Sequence, residues 1–390
     1  MKKQNKIYFD NSATTQIDKE VLKEMIPYFN LQFGNASSIH EFGQKAEAGV
    51  LNAKYIISKF LNCKPNEIIF TSGATESNNT ILQGVFSDFK GHLITTMFEH
   101  PCVLETAKYL SRRGVDVTFI APEKNGIIDP QKIFRAIKEN TRLISIMYAN
   151  NEVGTVSNIA HIGKKLAEIN EKRTNKILFH SDAVQACYFR DMDVKKLRAD
   201  FVSISSHKIY GPKGVGAFFM SERAKLSPLM YGGQQEYGIR PGTYNVPAIV
   251  GFGKAIQLIS SKDHKKIIEK MKKIRDYIIK EALKIKGVSL NGDKDKRLEN
   301  NINLLFENVE GESLLLKLDL CGVACSTGSA CASGSLSASH ALLSMGIKPE
   351  NAHGSLRISL GKYNTMEEAK KFVMILKKSV IQLRKFSPFK

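Results

Sequence analysis

"IIFTSGATESNNTIL", residues 68–82, is the stretch on which the fold turns. Ile68–Thr71 suit a strand, Ser72 and Gly73 break it, and from Ala74 an apolar helical pattern follows. Small residues at such a turn let backbone N–H groups converge, and the helix N-terminus adds its dipole, so the turn is fit to hold a phosphate. It is not a Walker A loop, because no Gly-Lys-Ser/Thr follows. Plain helix capping explains the same residues equally well.

Working outward, the strand-then-helix alternation repeats. Short β-rich runs at 67–71, 92–97, 115–120, 142–148, 176–182 and 199–205 are separated by helix-like stretches such as "PCVLETAKYLSRRG" and "IAHIGKKLAEINEKR". This is the pattern of βαβ units, an α/β fold around a mainly parallel sheet covered on both faces. In such folds the functional residues collect at the carboxyl ends of the strands. Beyond about residue 250 the pattern changes to a basic helix, two strand-like runs and a terminal helix, which suggests a smaller α+β domain. The 390 residues, 43% hydrophobic, are enough for this two-part organisation.

The formal net charge is +19. Residues 262–286 carry ten Lys or Arg against four Asp or Glu, with Ile267, Met271, Ile274 and Ile278 at helical spacing. An amphipathic helix with a solvated basic face accounts for this, and direct nucleic-acid binding is not expected from charge alone. The first residues, "MKKQNKIYFDNSATT", turn polar early, and no run is long enough to span a membrane, so a cytoplasmic protein with reduced thiols is expected.

Three of the six cysteines fall in "CGVACSTGSACASGSLSASH", 321–340. Cys321, Cys325 and Cys331 form no Cys-x-x-Cys pair and have no histidine among them, so a metal site is not expected. Cys321 and Cys325 flank apolar residues and read as buried. Cys331 sits at the edge of a Gly/Ser/Ala run and reads as an accessible thiol, a candidate nucleophile.

Two further strand ends carry candidates. "HSDAVQA" places Asp182 at one, with Gln185 three residues on. "SISSHKIYGPKGVGA" places His207 and Lys208 at another, and the Tyr-Gly-Pro that follows holds the lysine in a turn. Ser205-Ser206-His207-Lys208 also matches Ser-x-x-Lys, but that motif needs its serine opening a helix, which the Gly-Pro removes. A phosphate-binding turn, a carboxylate and a constrained lysine together are what pyridoxal 5′-phosphate requires.

With these residues in place, the chain resembles the NifS/IscS-type cysteine desulfurases, class V aminotransferase-like enzymes of the type I pyridoxal-phosphate fold. The resemblance runs nearly end to end through "YFDNSATT", "FGNASSIHEFG", "FTSGATESNN", "ISIMYANNEVGT", "HSDAVQA", "SSHKIYGPKGVGA", "STGSACASGS" and "LRISLG". It implies a large domain, 15–250, with a seven-stranded, mainly parallel sheet, and a small domain, 251–390, joined by the arm 1–14 and carrying the cysteine segment. It also implies conversion of L-cysteine to L-alanine, with the sulfur left as a persulfide on Cys331.

By the same resemblance, Lys208 bonds to the cofactor, Asp182 pairs with its ring nitrogen and His100 stacks on the ring. Ala74, Thr75, Ser205 and His207 hold the phosphate, with Thr243 supplied by the second subunit of a homodimer. Asn151 and Gln185 face the phenolic oxygen, Arg357 pairs with the substrate carboxylate, and Asn35 assists it. The implied partner is a sulfur-acceptor protein, an iron–sulfur scaffold or a tRNA-thiolation enzyme. A cysteine-nucleophile hydrolase and a selenocysteine lyase are the alternatives. Tyr237 and Pro241 depart from the arginine and serine usual in the family, and the Glu-Pro pair common before Ser339-His340 is absent.

Overall fold

The computed structural model describes residues 6–327 and 338–386. Twelve strands occur among the described residues. In chain order they are β1 Ile7–Tyr8, β2 Ile68–Thr71, β3 His92–Thr96, β4 Asp116–Ile120, β5 Thr141–Ser145, β6 Leu178–Asp182, β7 Phe201–Ser205, β8 Gly216–Met220, β9 Val288–Leu290, β10 Asn301–Phe306, β11 Val323–Ala324 and β12 Ser355–Ser359.

Seven of these form one sheet in the order β2-β8-β7-β6-β5-β3-β4. The pairs from β7 through β4 are parallel, and β8 runs antiparallel to both of its neighbours. Inner strands such as β3 and β7 are buried along their whole length, because helices cover both faces. The sequence of β7 is accordingly apolar or small throughout, and the one large polar side chain of β3, His92, is bonded to the Thr141 and Thr118 hydroxyls. The expected mainly parallel sheet is present.

The strand β8, "GAFFM", lies outside the sequence expectation. It follows the glycine-rich "KGVG" and enters between β2 and β7, with Gly216 opposite both Thr71 and Ser205. A Cβ at Gly216 would come within 2.8 Å of the Gly73 Cα. Glycine there lets β8 lie directly against the turn after β2.

A second, antiparallel sheet, β12-β10-β9, packs with the helices His264–Ala282, Gly311–Leu320 and Met366–Phe386. The first of these is the expected basic amphipathic helix, with Met271, Ile274 and Ile278 buried and its lysines outward. The arm strand β1 pairs in parallel with β11, and Asp10 bridges to Ser359. Cys325 is buried, and burial pushes its thiol up to about 12. Cys321 differs from expectation. It is only half-buried, because it caps the exposed end of the helix Gly311–Leu320.

Candidate active site

The carboxyl ends of β2, β3, β5, β6 and β7 open onto one cavity of about 560 Å³. Ala74, Thr75, His100, Asn151, Asp182, Gln185, Ser205, His207, Lys208 and Arg357 all line it. Those from Ala74 to Lys208 meet there because a parallel sheet delivers its strand ends to the same edge, and Arg357 is added from the second sheet.

The turn after β2 is braced from several sides. The Thr71 hydroxyl bonds to the Gly73 carbonyl at 3.0 Å and to the Ser77 hydroxyl at 2.8 Å. Glu76 accepts the Ser72 N–H at 2.7 Å and pairs with Arg240 at 2.8 Å. The helix Ala74–Val85 begins at Gly73, where an added Cβ would meet nothing within 4 Å, so the helix N-terminus faces open cavity. That is an anion cradle.

Asp182 ends β6 and is only 5% exposed. One carboxylate oxygen accepts from the Asn78 amide at 2.7 Å and the other from the Val184 N–H at 3.1 Å. Lys208 closes the short 3-10 turn Ser206–Lys208. Its Nζ donates to the carbonyls of Ser12 at 2.5 Å and Ala13 at 2.7 Å, so the N-terminal arm forms part of the wall. Gln185 reaches the same Ser12 carbonyl at 3.1 Å. His207 lies 3.1 Å from the Thr14 hydroxyl, and burial, helped by Lys208, pushes its imidazole down to about 4.

His100 caps the helix Pro101–Arg112, its Nδ1 accepting the Cys102 N–H at 3.2 Å. Burial lowers its pKa, as do the charges of Lys208 and His340, while Asp182 opposes them. Arg357 comes from β12 and is almost wholly buried. It donates to Asp10 at 2.9 Å and to the Asn151 carbonyl at 3.2 Å, and its Nε has no partner among the described residues. A planar guanidinium with capacity to spare at a cavity wall suits a carboxylate ligand.

Two expected residues stand apart from this group, and a third lies outside the described residues. Asn35 is exposed, and its side chain accepts the Ser37 N–H at 3.0 Å instead of meeting Arg357. Thr243 is exposed beside a separate cavity of about 200 Å³ that also takes in Ser72, Gly214 and Arg240. Cys331 lies outside the described residues. Both flanks of its segment are fastened near the cavity. Ser326 makes two backbone bonds with Arg357, of 3.1 and 2.7 Å. Ser339 donates to the buried Glu152 at 2.5 Å, and His340 to the Glu99 carbonyl at 2.9 Å.

Sequence reasoning missed Asn78, Cys102, Glu99, Asp10 and His340. Asn78 had a readable signal, since it stands one helical turn after Ala74, on the same face. The others are brought in by contacts between distant segments.

As a whole the cavity offers an anion cradle, a buried carboxylate, a primary amine and a carboxylate-binding arginine, and this set suits a phosphorylated aromatic aldehyde together with an amino acid. The aminotransferase class-V family model matches residues 7–372. The chain is 44% identical over 388 residues to the cysteine desulfurase IscS of Dictyoglomus turgidum, covering 98% of this chain and 97% of that one. It is 44% identical over 385 residues to the protein of the same name from Methanosarcina thermophila, covering 98% and 94%. Among solved structures it is similar to a NifS-like protein at 36% identity with a TM-score of 0.89, covering 97% of this chain and all of that one. A NifS-like protein from Rickettsia africae aligns at 30% identity and a TM-score of 0.86, covering 96% and 99%. The chain therefore belongs to the class V aminotransferase family.

Proposed function

We propose that this protein is a pyridoxal 5′-phosphate-dependent cysteine desulfurase that converts L-cysteine to L-alanine and passes the sulfur on as a persulfide of Cys331. The observation that carries the reading is the single cavity in which the turn Gly73–Thr75, Asp182, Lys208 and Arg357 converge. The name borne by the full-length relatives supports it. The residues also fit the cofactor physically: the helix N-terminus opens on empty space, and the buried Ser12 hydroxyl lining the cavity has no partner among the described residues.

Bound there, the cofactor supplies an electron-withdrawing ring that makes the α-carbon of the amino acid acidic. The protein's own groups do the rest. Ala74, Thr75, Ser205 and His207 hold the phosphate by backbone and side-chain donors. Asp182 keeps a proton on the ring nitrogen, held in place by Asn78. The Lys208 amine would hold the cofactor and move the α-proton, and His100 would pack on the ring. Asn151 and Gln185 orient the phenolic oxygen, and Arg357, with Asn35, takes the substrate carboxylate. The Cys331 thiolate takes the substrate sulfur by forming an S–S bond as the substrate C–S bond breaks, the bonding pair passing to the substrate carbon, which gains a proton to give alanine.

The working unit in this reading is a homodimer in which Thr243 reaches the neighbour's phosphate. An exposed apolar set at the N-terminal end, Ile26, Phe29, Leu31, Phe33, Ile39 and Phe42, supports a large buried surface. The large unit spans 15–250, and the small one spans 251–390 with the arm 1–14. The acceptor is an iron–sulfur scaffold or a tRNA-thiolation enzyme, and the site of action is the cytoplasm. None of the described helices is long and apolar enough to cross a membrane. The test is turnover of L-cysteine by the purified holoenzyme with dithiothreitol, measuring alanine and sulfide together. Equimolar products lost in Cys331→Ser are expected, and alanine formation undiminished in that variant would overturn the role of Cys331.

A further inference from the structure

The cavity wall holds a thiol that the proposed chemistry does not use. Cys102 lies one residue past the start of the helix Pro101–Arg112 and faces the cavity beside His100. Its Sγ is 3.0 Å from the His100 Nδ1 and 3.1 Å from the Asn78 amide nitrogen. That same amide nitrogen donates to Asp182 at 2.7 Å. An amide carries two hydrogens, so Asn78 serves both acceptors at once. Because Asn78 donates to the sulfur, the thiol hydrogen is left to point at the imidazole.

We propose that Cys102 is a positioning residue whose S–H, polarised by Asn78, donates to Nδ1 of His100 and keeps that ring neutral with its proton on Nε2. The inference deepens the reading given above for His100 as the ring-packing residue, and rests on it.

Two donors converge on Nδ1, the Cys102 backbone N–H at 3.2 Å and the thiol at 3.0 Å. Protonating Nδ1 would turn it from acceptor to donor, break the contact from the backbone N–H and force the thiol contact to reverse. The thiol itself stays protonated, since burial and the nearby Asp182 push its pKa up, so it serves as a hydrogen-bond donor and not as a second nucleophile. The groups that face His100 from other elements are Asp182 on β6, Lys208 after β7 and His340 beyond the Cys331 segment, with the buried Glu99 next to it in sequence. Asp182 favours the charged imidazole, and Lys208 and His340 oppose it. The thiol adds a short-range preference to that balance, directed at a single nitrogen.

The test is an imidazole ¹⁵N titration of the holoenzyme labelled at its nine histidines, with His100 assigned by loss of its signal in His100→Gln. Cys102→Ala should raise the protonation constant of His100 about two- to tenfold, the worth of one neutral hydrogen bond. Cys102→Val, which refills the space without a donor, should do the same. Cys102→Ser, which restores a donor, should stay within about twofold of the parent. An unchanged constant in both Cys102→Ala and Cys102→Val overturns the proposal. So does a fall, which would show the sulfur accepting from a protonated ring. The readout does not depend on turnover. Failure of the desulfurase reading would appear as absent cysteine turnover in the parent, whatever the titration gives.

Discussion

Replacing Lys54 by methionine removes half of the most deeply buried ion pair among the described residues and tests how the turn after β2 is braced. Lys54, on the helix Glu41–Leu61, meets Glu236 at 2.9 Å, and the two side chains are 6% and 1% exposed. The same Glu236 oxygen accepts the Phe70 N–H of β2 at 3.0 Å, two residues before the turn. The other oxygen has no partner among the described residues. Glu236 also holds a left-handed backbone, φ 46°, within the segment leading to Arg240 and Thr243. Methionine keeps the volume of the lysine stem but leaves a buried carboxylate with one backbone donor. Breaking such a pair costs about 3–5 kcal/mol. For 390 residues the unfolding entropy is about 0.8 kcal/mol/K, so Tm should fall by about 4–6 °C in a calorimetric scan at fixed protein concentration. The double variant Lys54→Met/Glu236→Gln, which keeps an acceptor for Phe70 but no buried charge, should recover most of that loss. A single variant as stable as the parent, or a double variant no better than the single, would refute the argument that the lysine neutralises a buried charge.

Other expectations follow from the same geometry. Borohydride should fix the cofactor to Lys208 in a yellow holoenzyme, and recovery of the label from another lysine would reassign that residue. Asp182→Asn should lower kcat by about 10² or more while leaving the phosphate turn able to bind cofactor, read by absorbance during titration with pyridoxal 5′-phosphate. Burial raises Glu99 from 4.5 to about 8, against the opposing bonds from the Met147 N–H and the Thr96 hydroxyl. The folded chain therefore binds that proton more tightly than the unfolded one, and the associated stability is full below about pH 4.5 and is lost as pH rises towards 8. In urea titrations Glu99→Gln should gain on the parent between pH 5 and 8, by up to about 1.4 kcal/mol per pH unit; a constant difference would show that Glu99 does not titrate there. Sedimentation at assay concentration should give a dimer, and an active monomer would exclude a composite site at Thr243.

The fold was legible where periodicity and strand ends coincide. The apolar runs that became β2, β3 and β7 are buried along their whole length, and a strand of that kind announces itself by composition; the edge strand β4 is partly exposed. The segment β8 did not, because five residues after a glycine-rich loop have no alternation, and their place between β2 and β7 follows from pairing across more than a hundred residues. The site was legible for the same reason as the strands: Asp182, Ser205 and Lys208 stand at or just past strand ends, where side chains face the cavity. Arg357 was different. Nothing local separates it from an arginine in a strand, and only its bonds to Asp10 and Asn151 show why it is there. Cys102 was invisible because a hydrogen-bond chain has no sequence period, whereas Asn78, one turn after Ala74, could have been found.

The pairing of β1 with β11 sets a schedule for biosynthesis. Ile7 finds its partner only when Val323 exists, and Asp10 meets Arg357 and Ser359 later still. At about 5–20 residues per second, the first strand leaves the ribosome tens of seconds before the last one needed to hold it. The sheet β2–β8 can close in the meantime, but its cavity lacks Arg357, and the arm lacks the strand β11 that pairs with β1. A nascent chain thus carries the strand ends and the lysine before the arm is fastened to β11 and β12, and closure of the Arg357 side of the cavity comes last. Extensions fused ahead of Ile7 act on that final step, and a bulky N-terminal tag should slow maturation more than it lowers the stability of the finished enzyme.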